Sequence, residues 1–570
     1  MKIYTNYPKI SSDFRVYKAM LSNELFKVIA DTVSEENSEY YKSFSENTKA
    51  ILLENINFLD SIIFDENIEL ELILIFNNCK FEENVSFEGP TLSYIHFANC
   101  EFQKDFLIRD GSFKGDFVLT DTNILETFYI YGGRFSDFRF NRSNCARFYI
   151  KGGTIGEVSL YESKINRALD ILGGSIVNLH ITKSEVVDQF NMFDCEVKES
   201  VSVANVKFDC SLNLSSNKFL SKCIFSSCYF YRSVYLADSY FSGGLEFKKC
   251  KIYRISIDEF FRPVKLIIDN DCEISSVLIL GFIQKETIFH ISGLIFLLEF
   301  RKVINNGVFI ISDVKIGDKH KFTRQDDVEF DFSKTQTIID NSIFSDNINE
   351  PEIRILSSDL GKTTIVNSDL SNFRLLFYSS KITDVFIAGS KMPSRIVNDD
   401  VEQRQLGYSQ IKKIYDNRGD KVQANFYLSE EMNAYYDTLN WKDNFWEKLN
   451  LFANKFSTNH GQSWSRGLLT TILVSSLFYI LYCFQLGIRP TYFYVNGDIL
   501  YVPILFFGKV ASYFIEFVNP IHKADYIADE IYEKKQYVSG WARFTEGISR
   551  IFIAYFVYQL VQAFRKHGKS

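Results

Sequence analysis

Apolar side chains recur at a fixed spacing through the first half of the chain. Seventeen consecutive units of 10 or 11 residues run from Leu70 to Ile252. In each unit two apolar residues follow an anchor in alternation, and a small residue precedes the next anchor. Alternation at period two is typical of a strand with one buried face, and a fixed repeat is typical of stacked, similar units. The anchors are Leu70, Phe81, Leu92, Phe102, Phe113, Ile124, Phe135, Cys145, Ile155, Ile165, Ile176, Val186, Val197, Phe208, Phe219, Phe230, Phe241 and Ile252.

These two patterns predict a mainly β chain whose core is a parallel, right-handed β-solenoid. Two units form a pentapeptide-like coil of about 21 residues, and successive coils pair about 4.8 Å apart. A coiled coil is excluded because the step is not seven residues, and transmembrane barrel strands are excluded because these strands are too short. We assign residues 1–65 to an N-terminal cap and residues 66–395 to the solenoid. The small residues that fit a tight corner before an anchor include Cys79, Cys100, Gly111, Gly133, Gly153, Cys195, Cys228 and Cys250.

Helical spacing replaces the strand pattern in residues 396–445, where we expect a hairpin of two helices. The first helix is expected to break at Gly419, and Asp420 resembles the start of a capping box that opens the second. Val422 and Phe426 begin the side of the second helix that we expect to be apolar and buried. We consider two roles for this hairpin: an amphipathic cap on the solenoid, or a groove that binds a partner.

The last segment, residues 446–570, is predicted to be an α-helical transmembrane domain. The stretch 467–486 carries no charge over 20 residues, the length that a helix needs to cross the hydrocarbon core. We place membrane spans at about 467–487 and 544–564, with a re-entrant or interfacial helix at about 499–518. Interface anchors are expected at the ends of the spans. They are Trp464, Arg466, Trp541, Arg565 and Lys566.

The whole chain resembles bacterial pentapeptide-repeat-like membrane proteins, in which a quadrilateral β-helix is followed by a helical segment and two spans. The residues that carry the resemblance are Gln410, Lys412, Asp420, Phe426, Glu431, Asn454, Gly461, Trp464, Tyr558, Gln559, Ala563, Phe564, Arg565 and Lys566. The repeat itself departs from the family, because few pentads read A-[DN]-[LF]-x-x and Cys, Gly or Asn often replaces the small first residue. The resemblance implies an architecture and no particular activity.

Composition limits the chemistry expected of this chain. The formal net charge is −8, which argues against a nucleic-acid partner. Nine of the ten cysteines lie between Cys79 and Cys272 without a CxxC pair, so we expect buried, reduced thiols in a cytosolic compartment. The seven histidines are scattered, and no Walker, GxGxxG or HExxH motif is present. We therefore expect no enzyme, no catalytic residue, no metal site and no cofactor.

Charged residues within or beside the apolar segments are the best candidates for a functional role. Placing such groups in hydrocarbon is costly, and they tend to face a bundle interior or an aqueous path. Lys509, Glu516, Glu546 and Arg550 fit this description. Glu546 and Arg550 are spaced to pair on one helix face. Two interpretations of these residues therefore remain: they neutralise each other's charge, or they line a pore.

Two classes of function remain open. In the first, the solenoid is a non-enzymatic recognition or scaffold module in the bacterial cytosol, tethered to the inner membrane with the solenoid and the C-terminus inside. In the second, the chain is an oligomeric membrane effector or ion channel-like pore, similar in layout to some phage-defence effectors, with the solenoid as a sensor. The partners expected are the lipid bilayer, further copies of the chain, and a macromolecular ligand on the solenoid flank. A pore requires oligomers, because two spans cannot enclose a conduit.

Overall fold

The computed structural model describes residues 18–34, 41–45, 48–258, 260–317, 336–339, 342–345, 349–488, 493–495, 498–500, 510–523, 525–532 and 538–567. The chain divides into two compact units between Arg395 and Ile396. The first unit is mainly β, and its described residues contain one helix, α1 (Ser22–Ser34). The second unit is mainly α-helical.

The first unit is a parallel β-solenoid of about 14 turns with coils of about 22 residues, which confirms the predicted fold class. Every predicted anchor from Leu70 to Phe230 lies beside the anchor two units later in the chain, as in Phe81 beside Phe102 and Phe219 beside Phe241. The strands of this sheet are Lys18–Met20, Tyr41–Ser45, Thr48–Glu54, Ile56–Phe58, Ile62–Asp65, Glu69–Asn77, Lys80–Phe81, Val85–Glu88, Thr91–Ala98, Glu101–Phe102, Phe106–Arg109, Ser112–Thr120, Asn123–Tyr131, Arg134–Asn141, Asn144–Lys151, Thr154–Tyr161, Lys164–Leu172, Ser175–Thr182, Glu185–Val186, Gln189–Phe193, Glu196–Ala204, Lys207–Phe208, Ser211–Ser215, Lys218–Phe219, Cys223–Ser226, Tyr229–Ala237, Tyr240–Phe241, Leu245–Lys248, Lys251–Ile257, Arg262–Pro263, Lys265–Ile268, Glu273–Ile283, Ile288–Asn305, Val308–Ile316, Glu352–Leu356, Thr363–Val366, Arg374–Tyr378, Phe386–Ala388 and Arg395–Ile396.

The interior of the solenoid is a set of ladders in which equivalent side chains of successive coils stack. The rings of Phe81 and Phe102 lie 4.4 Å apart and nearly parallel, and those of Phe113 and Phe135 lie 4.6 Å apart. Stacked rings bury a large apolar area in a narrow core. All ten cysteines are free and buried, nine of them in the solenoid. Burial raises the pKa of the Cys195 thiol to about 12, which favours an inert, protonated side chain.

Small hydroxyl residues hold one corner of successive coils together. The backbone N–H of Thr122 donates to the Ser143 hydroxyl of the next coil, and the N–H of Ser143 donates to the Ser163 hydroxyl. The N–H of Ser163 continues the series by donating to Ser184. The residue before each corner has a positive φ, as at Arg142, which turns the strand. These positions are small because the side chain must point inward and accept a neighbouring N–H.

Pairing of the sheet extends toward the N-terminus beyond residue 66. Ile62–Asp65 lies parallel to Val85–Glu88, and Lys18–Met20 lies parallel to Ile56–Phe58. Tyr41–Ser45 instead pairs antiparallel with Thr48–Glu54. A further antiparallel hairpin joins Gln336–Ile339 and Ser342–Ser345.

The second unit begins with a helical hairpin, and its two longest helices come later in the chain. Its helices are α2 (Val401–Arg418), α3 (Lys421–Thr438), α4 (Phe445–Thr458), α5 (Trp464–Gln485), α6 (Phe514–Val518), α7 (Tyr526–Tyr532) and α8 (Gly540–His567). A 3-10 turn at Ala511–Tyr513 precedes α6, and Phe493–Val495 pairs antiparallel with Asp498–Leu500. We expected a re-entrant or interfacial helix at 499–518. Within that range the structure describes the last two residues of the Asp498–Leu500 strand, the 3-10 turn and α6.

The hairpin of α2 and α3 turns where the sequence predicts. Gly419 adopts φ 83° at the end of α2, and the Asp420 side chain accepts a hydrogen bond from the backbone N–H of Gln423. Val422, at the start of the expected apolar side of α3, is 60% exposed, whereas Leu439 at the end of that side and Tyr427 are buried. Two contacts hold the Tyr427 side of α3 against α2. The ring of Tyr427 stacks on that of Tyr415, and the ammonium of Lys412 pairs with the Glu431 carboxylate at 2.7 Å.

Candidate functional site: two apolar helices and a buried polar cluster

Helices α5 and α8 are long and apolar enough to cross a membrane. Trp464–Gln485 contains 22 residues and the apolar part of α8, Gly540–Arg565, contains 26. At about 1.5 Å per residue both exceed the roughly 30 Å of a hydrocarbon core. Length and composition alone do not separate a membrane helix from the core helix of a water-soluble domain, so the burial of their side chains is informative.

Burial in this helix pair is inverted relative to a water-soluble domain. The outward side of α5 carries exposed leucines and isoleucines, with Leu477 and Ile480 each 67% exposed, and Ile551 on α8 is 70% exposed. The buried side of α5 carries mainly small and polar residues, such as Gly467 and Ser475, whereas the buried side of α8 also includes the apolar Ile553 and Phe556. In water large apolar side chains turn inward, so this arrangement suits a solvent that is itself apolar. The other exposed large apolar residues of the pair are Trp464, Leu468, Leu469, Ile472, Leu473, Leu481, Phe484, Trp541, Phe544, Phe552, Tyr558, Val561 and Phe564.

Small residues let α5 and α8 approach closely. A methyl group added at Gly467 would lie 3.4 Å from the Leu560 side chain of α8 and 3.0 Å from that of Thr458. One turn further along α5, the Thr471 hydroxyl donates to the Gly467 carbonyl at 2.7 Å and so needs no other partner. Small residues four apart at a helix contact are typical of helix pairs in membranes.

A polar cluster lies at the other end of this pair, near the start of α8. The Glu546 side chain is only 3% exposed and accepts hydrogen bonds from Arg550 at 2.7 Å. Its oxygens also lie 3.0 Å from Nε2 of His522 and 3.5 Å from the backbone N–H of Asp525. The Asp525 carboxylate in turn pairs with Arg543 at 2.8 Å. The cluster therefore fastens the segment that follows α6 to the first two turns of α8.

The His522 ring lies between a backbone carbonyl and a buried carboxylate. Nδ1 lies 2.7 Å from the carbonyl oxygen of Asn519, and Nε2 faces the Glu546 carboxylate. Both neighbours can accept a hydrogen bond. His522 and Arg550 thus flank a single buried carboxylate, with the ring of Phe517 5.9 Å from the imidazole.

Four buried polar atoms of the helix pair have no hydrogen-bond partner in the part of the chain that the structure describes. They are the Tyr482 hydroxyl, the side-chain oxygen of Gln485, the Ser475 hydroxyl and Nε of Arg550. Unsatisfied buried polar atoms are costly in water-soluble domains and in membranes, so each indicates a further partner such as water or another chain.

The candidate polar residues from the sequence are only partly brought together. Glu546 and Arg550 form the predicted pair. Glu516 is exposed on α6 and is not part of the cluster, although its charge raises the pKa of Tyr526. Lys509 lies outside the described residues. Sequence reasoning missed His522 and Asp525, whose only signal was their position between two apolar segments.

Four of the predicted interface anchors lie at the end of the helix pair opposite the cluster, and the fifth, Trp541, lies at the end of the cluster itself. Trp464 packs edge-on against Phe564, with ring centroids 6.0 Å apart. The Arg466 guanidinium donates to the carbonyl of Phe456. Trp541 is exposed at the start of α8, and Arg565 is exposed near its end. Lys566 lies in the last turn of α8.

An apolar groove of about 340 Å³ opens among these anchors, between the start of α5 and the end of α8. Its lining residues are Trp464, Leu468, Leu560, Val561, Phe564 and Arg565. Arg565 is the one charged residue of that lining.

The described residues, those of the helix pair included, contain no group of three or more His, Cys, Asp or Glu side chains that could hold a metal ion. Burial lowers the pKa of His96 to about 4, and its Nε2 lies 3.1 Å from the Thr120 hydroxyl. That histidine is therefore neutral at physiological pH and has a local partner.

No protein-family model, curated protein or solved structure matches this chain. The features shown are thus a parallel β-solenoid and, in the second unit, two helices that are long and apolar enough to cross a membrane.

Proposed function

We propose that this chain is a non-enzymatic, membrane-anchored β-solenoid, in which α5 and α8 form a transmembrane hairpin and the solenoid recognises or scaffolds a macromolecule. The observation that carries the proposal is the inverted burial of the helix pair. Leu477 and Ile551 would otherwise expose a broad apolar surface to water, and contiguous exposed apolar patches of that extent are rare on soluble monomers.

The outer surface of the solenoid supports a role in recognition. Tyr129 and Tyr131 lie on one strand and Tyr149 on the neighbouring coil, and their ring centroids are 5.5 to 5.7 Å apart. They form one aromatic cluster on the outside of the sheet. Tyrosine combines apolar area with a polar tip, which is why it is frequent in protein interfaces. The ligand we favour is accordingly a protein or another macromolecule, and no cofactor or nucleic acid is assigned.

The finer parts of the proposal rest on the sequence. Coil length and the residues of the C-terminal segment support a bacterial, pentapeptide-repeat-like protein of the inner membrane. Arg565 and Lys566 at the end of α8 support a cytosolic C-terminus by the positive-inside rule. With two spans, the segment before α5 and the solenoid are then also cytosolic.

Carbonate extraction of membranes from cells that express the full chain tests the anchor. The wild-type chain should stay in the membrane pellet. A variant with Leu473→Lys and Leu477→Lys places two charges on the outward side of α5 and should be released or degraded, because charged residues at the centre of a span are costly. The matched control, Leu125→Lys with Leu220→Lys, changes two exposed leucines of the solenoid and should remain in the pellet. Recovery of the wild-type chain in the carbonate supernatant would end the proposal.

The buried polar side of the helix pair favours a second candidate, an oligomeric membrane effector or ion channel-like pore with the solenoid as sensor. Ser475, Tyr482 and Gln485 carry polar atoms that lack a partner among the described residues, as pore-lining groups would in a single copy. Dye release from liposomes that contain the purified protein separates the candidates. Leakage that is lost in Glu516→Ala or Lys509→Ala would favour the pore, and intact liposomes with a monomeric protein would favour the anchor.

A further inference from the structure

Helix α4 carries an apolar stripe that nothing in the described residues covers. Phe445, Leu449, Phe452 and Phe456 recur at intervals of three or four residues, so they lie on one side of the helix. All four are exposed, Phe456 to 57%, and the neighbouring Trp446 is 79% exposed. We call these five residues the α4 stripe. A contiguous patch of large apolar residues on a surface marks an interaction site.

The opposite side of α4 is already packed, so the stripe is not a core face turned outward. Leu451, Ser457 and Thr458 are buried. Thr458 contacts the position of Gly467 in α5, and the Asn450 side chain accepts a hydrogen bond from the Tyr555 hydroxyl of α8 at 2.7 Å. Helix α4 is therefore fixed against the same two helices that we propose to be in the bilayer, with its stripe pointing away from them.

Two lysines flank the stripe. The Lys448 ammonium lies 4.6 Å from the ring centroid of Tyr436 and donates to the carbonyl of Leu439. Lys455 lies two turns further along, 5.6 Å from the same ring. Glu447, on the other side of the helix, accepts a hydrogen bond from Tyr435. Aromatic residues on one side and lysines beside them are typical of helices that lie in a membrane interface.

We propose that α4 lies in the plane of the membrane interface, with the α4 stripe inserted at the boundary between lipid headgroups and acyl chains. This inference rests on the proposed membrane anchor. Only residues 459–463 separate α4 from α5, so Phe456, at the C-terminal end of the stripe, lies close to the start of a span. The occupant of the stripe is thus phospholipid from the bilayer that α5 and α8 cross. A second copy of the chain would have to displace that lipid.

Fluorescence quenching tests the depth of the stripe. The full chain is placed in phospholipid nanodiscs with Trp446 as the only tryptophan, after Trp441→Phe, Trp464→Phe and Trp541→Phe. Brominated acyl chains should quench Trp446, most strongly with bromine near the glycerol end, because an interfacial helix buries its apolar side by about 5–10 Å. A water-soluble quencher should have little effect on it.

A thiol-accessibility measurement provides the matched control. The ten native cysteines are buried, so an introduced surface cysteine supplies the reactive thiol. Phe456→Cys and Val422→Cys replace two helix residues of similar exposure, 57% and 60%. In nanodiscs a membrane-impermeant maleimide should label position 456 roughly tenfold or more slowly than position 422, because only the former lies in lipid.

Two results would overturn the interfacial placement while leaving the anchor intact. The first is a carbonate-resistant protein whose Trp446 is quenched from water and not from the acyl chains. The second is efficient disulfide cross-linking between copies at Phe452→Cys, which would assign the stripe to a protein interface. Loss of carbonate resistance in the wild-type chain would instead remove the anchor itself.

Discussion

Replacing Glu546 by alanine should release the segment after α6 from the start of α8. Glu546 is the shared acceptor of His522, Arg550 and the Asp525 backbone. Its side chain is 3% exposed, and that of Arg550 is 27% exposed. Removing it leaves an imidazole and a guanidinium side by side without their carboxylate.

The size of the effect follows from the burial of the pair. Breaking a buried ion pair by removing one partner costs about 3–5 kcal/mol, and the partial exposure of Arg550 favours the lower limit. A loss of about 3 kcal/mol corresponds to a roughly hundredfold change in an equilibrium constant. Glu546→Gln keeps one oxygen acceptor without the charge, so it should lose less than Glu546→Ala.

Amide hydrogen exchange of the full chain in nanodiscs measures this local opening directly. Exchange at residues 514–532 should become roughly a hundredfold faster in Glu546→Ala, with the solenoid unchanged. Glu530→Ala is the control, because Glu530 is exposed on α7 in the same segment. Arg550→Met combined with Glu546→Ala removes both charges and should lose less than the sum of the single changes, since the two residues are in contact.

Two outcomes would refute the reasoning about this cluster. If Glu530→Ala accelerates exchange as much as Glu546→Ala does, the segment is sensitive to any lost charge. If the losses from Glu546→Ala and Arg550→Met add, the two side chains are not coupled and their proximity has no energetic consequence.

Three further predictions concern the solenoid, each measured on the intact protein. Gly153→Ala should destabilise its coils by more than Gly152→Ala: both have positive φ, worth about 1–2 kcal/mol, but only a Cβ at Gly153 would lie 2.8 Å from backbone of the preceding coil. Ser163→Ala leaves the buried N–H of Ser143 without its acceptor and should cost about 1–3 kcal/mol in local hydrogen exchange. Because burial lowers the pKa of His96 to about 4, the unfolded chain binds the proton first as pH falls, so stability should decrease from about pH 6.5 to pH 4 and His96→Gln should flatten that decrease.

Equal losses at the two glycines would contradict the close approach at the corner. An unchanged exchange rate around Ser143 in Ser163→Ala would mean that water replaces the hydroxyl. A pH slope that survives in His96→Gln would assign acid sensitivity to other groups.

The sequence was sufficient for the solenoid because its signal is repeated and local. Phe81 and Phe102 occupy equivalent positions, and the same alternation is present in each unit, so errors at single residues do not matter. The helical hairpin shows the limit of this approach. Helix α3 carries apolar residues on several sides, so its sequence does not predict which side is buried. Tyr427 is buried and Val422 is not because a ring stack and an ion pair join that side of α3 to α2.

The polar cluster was predictable only within one helix. Glu546 and Arg550 are four residues apart, so helical geometry alone brings them together. His522 and Asp525 reach Glu546 from 24 and 21 residues away, through a turn after α6 that has no repeat or motif. The α4 stripe is visible in the sequence as spacing, but its exposure becomes informative only when the opposite side of the helix is seen to be packed.

Because the solenoid is a stack of coils, its length can change only by whole coils. Since each coil touches only the coils before and after it, gain or loss of one coil preserves the hydroxyl corner and the ring ladders on either side. Related solenoids would then differ in length by steps of about 4.8 Å, while the residues at both ends of the solenoid stay the same. Selection can thus adjust the span over which a partner is held by duplicating or deleting about 22 codons.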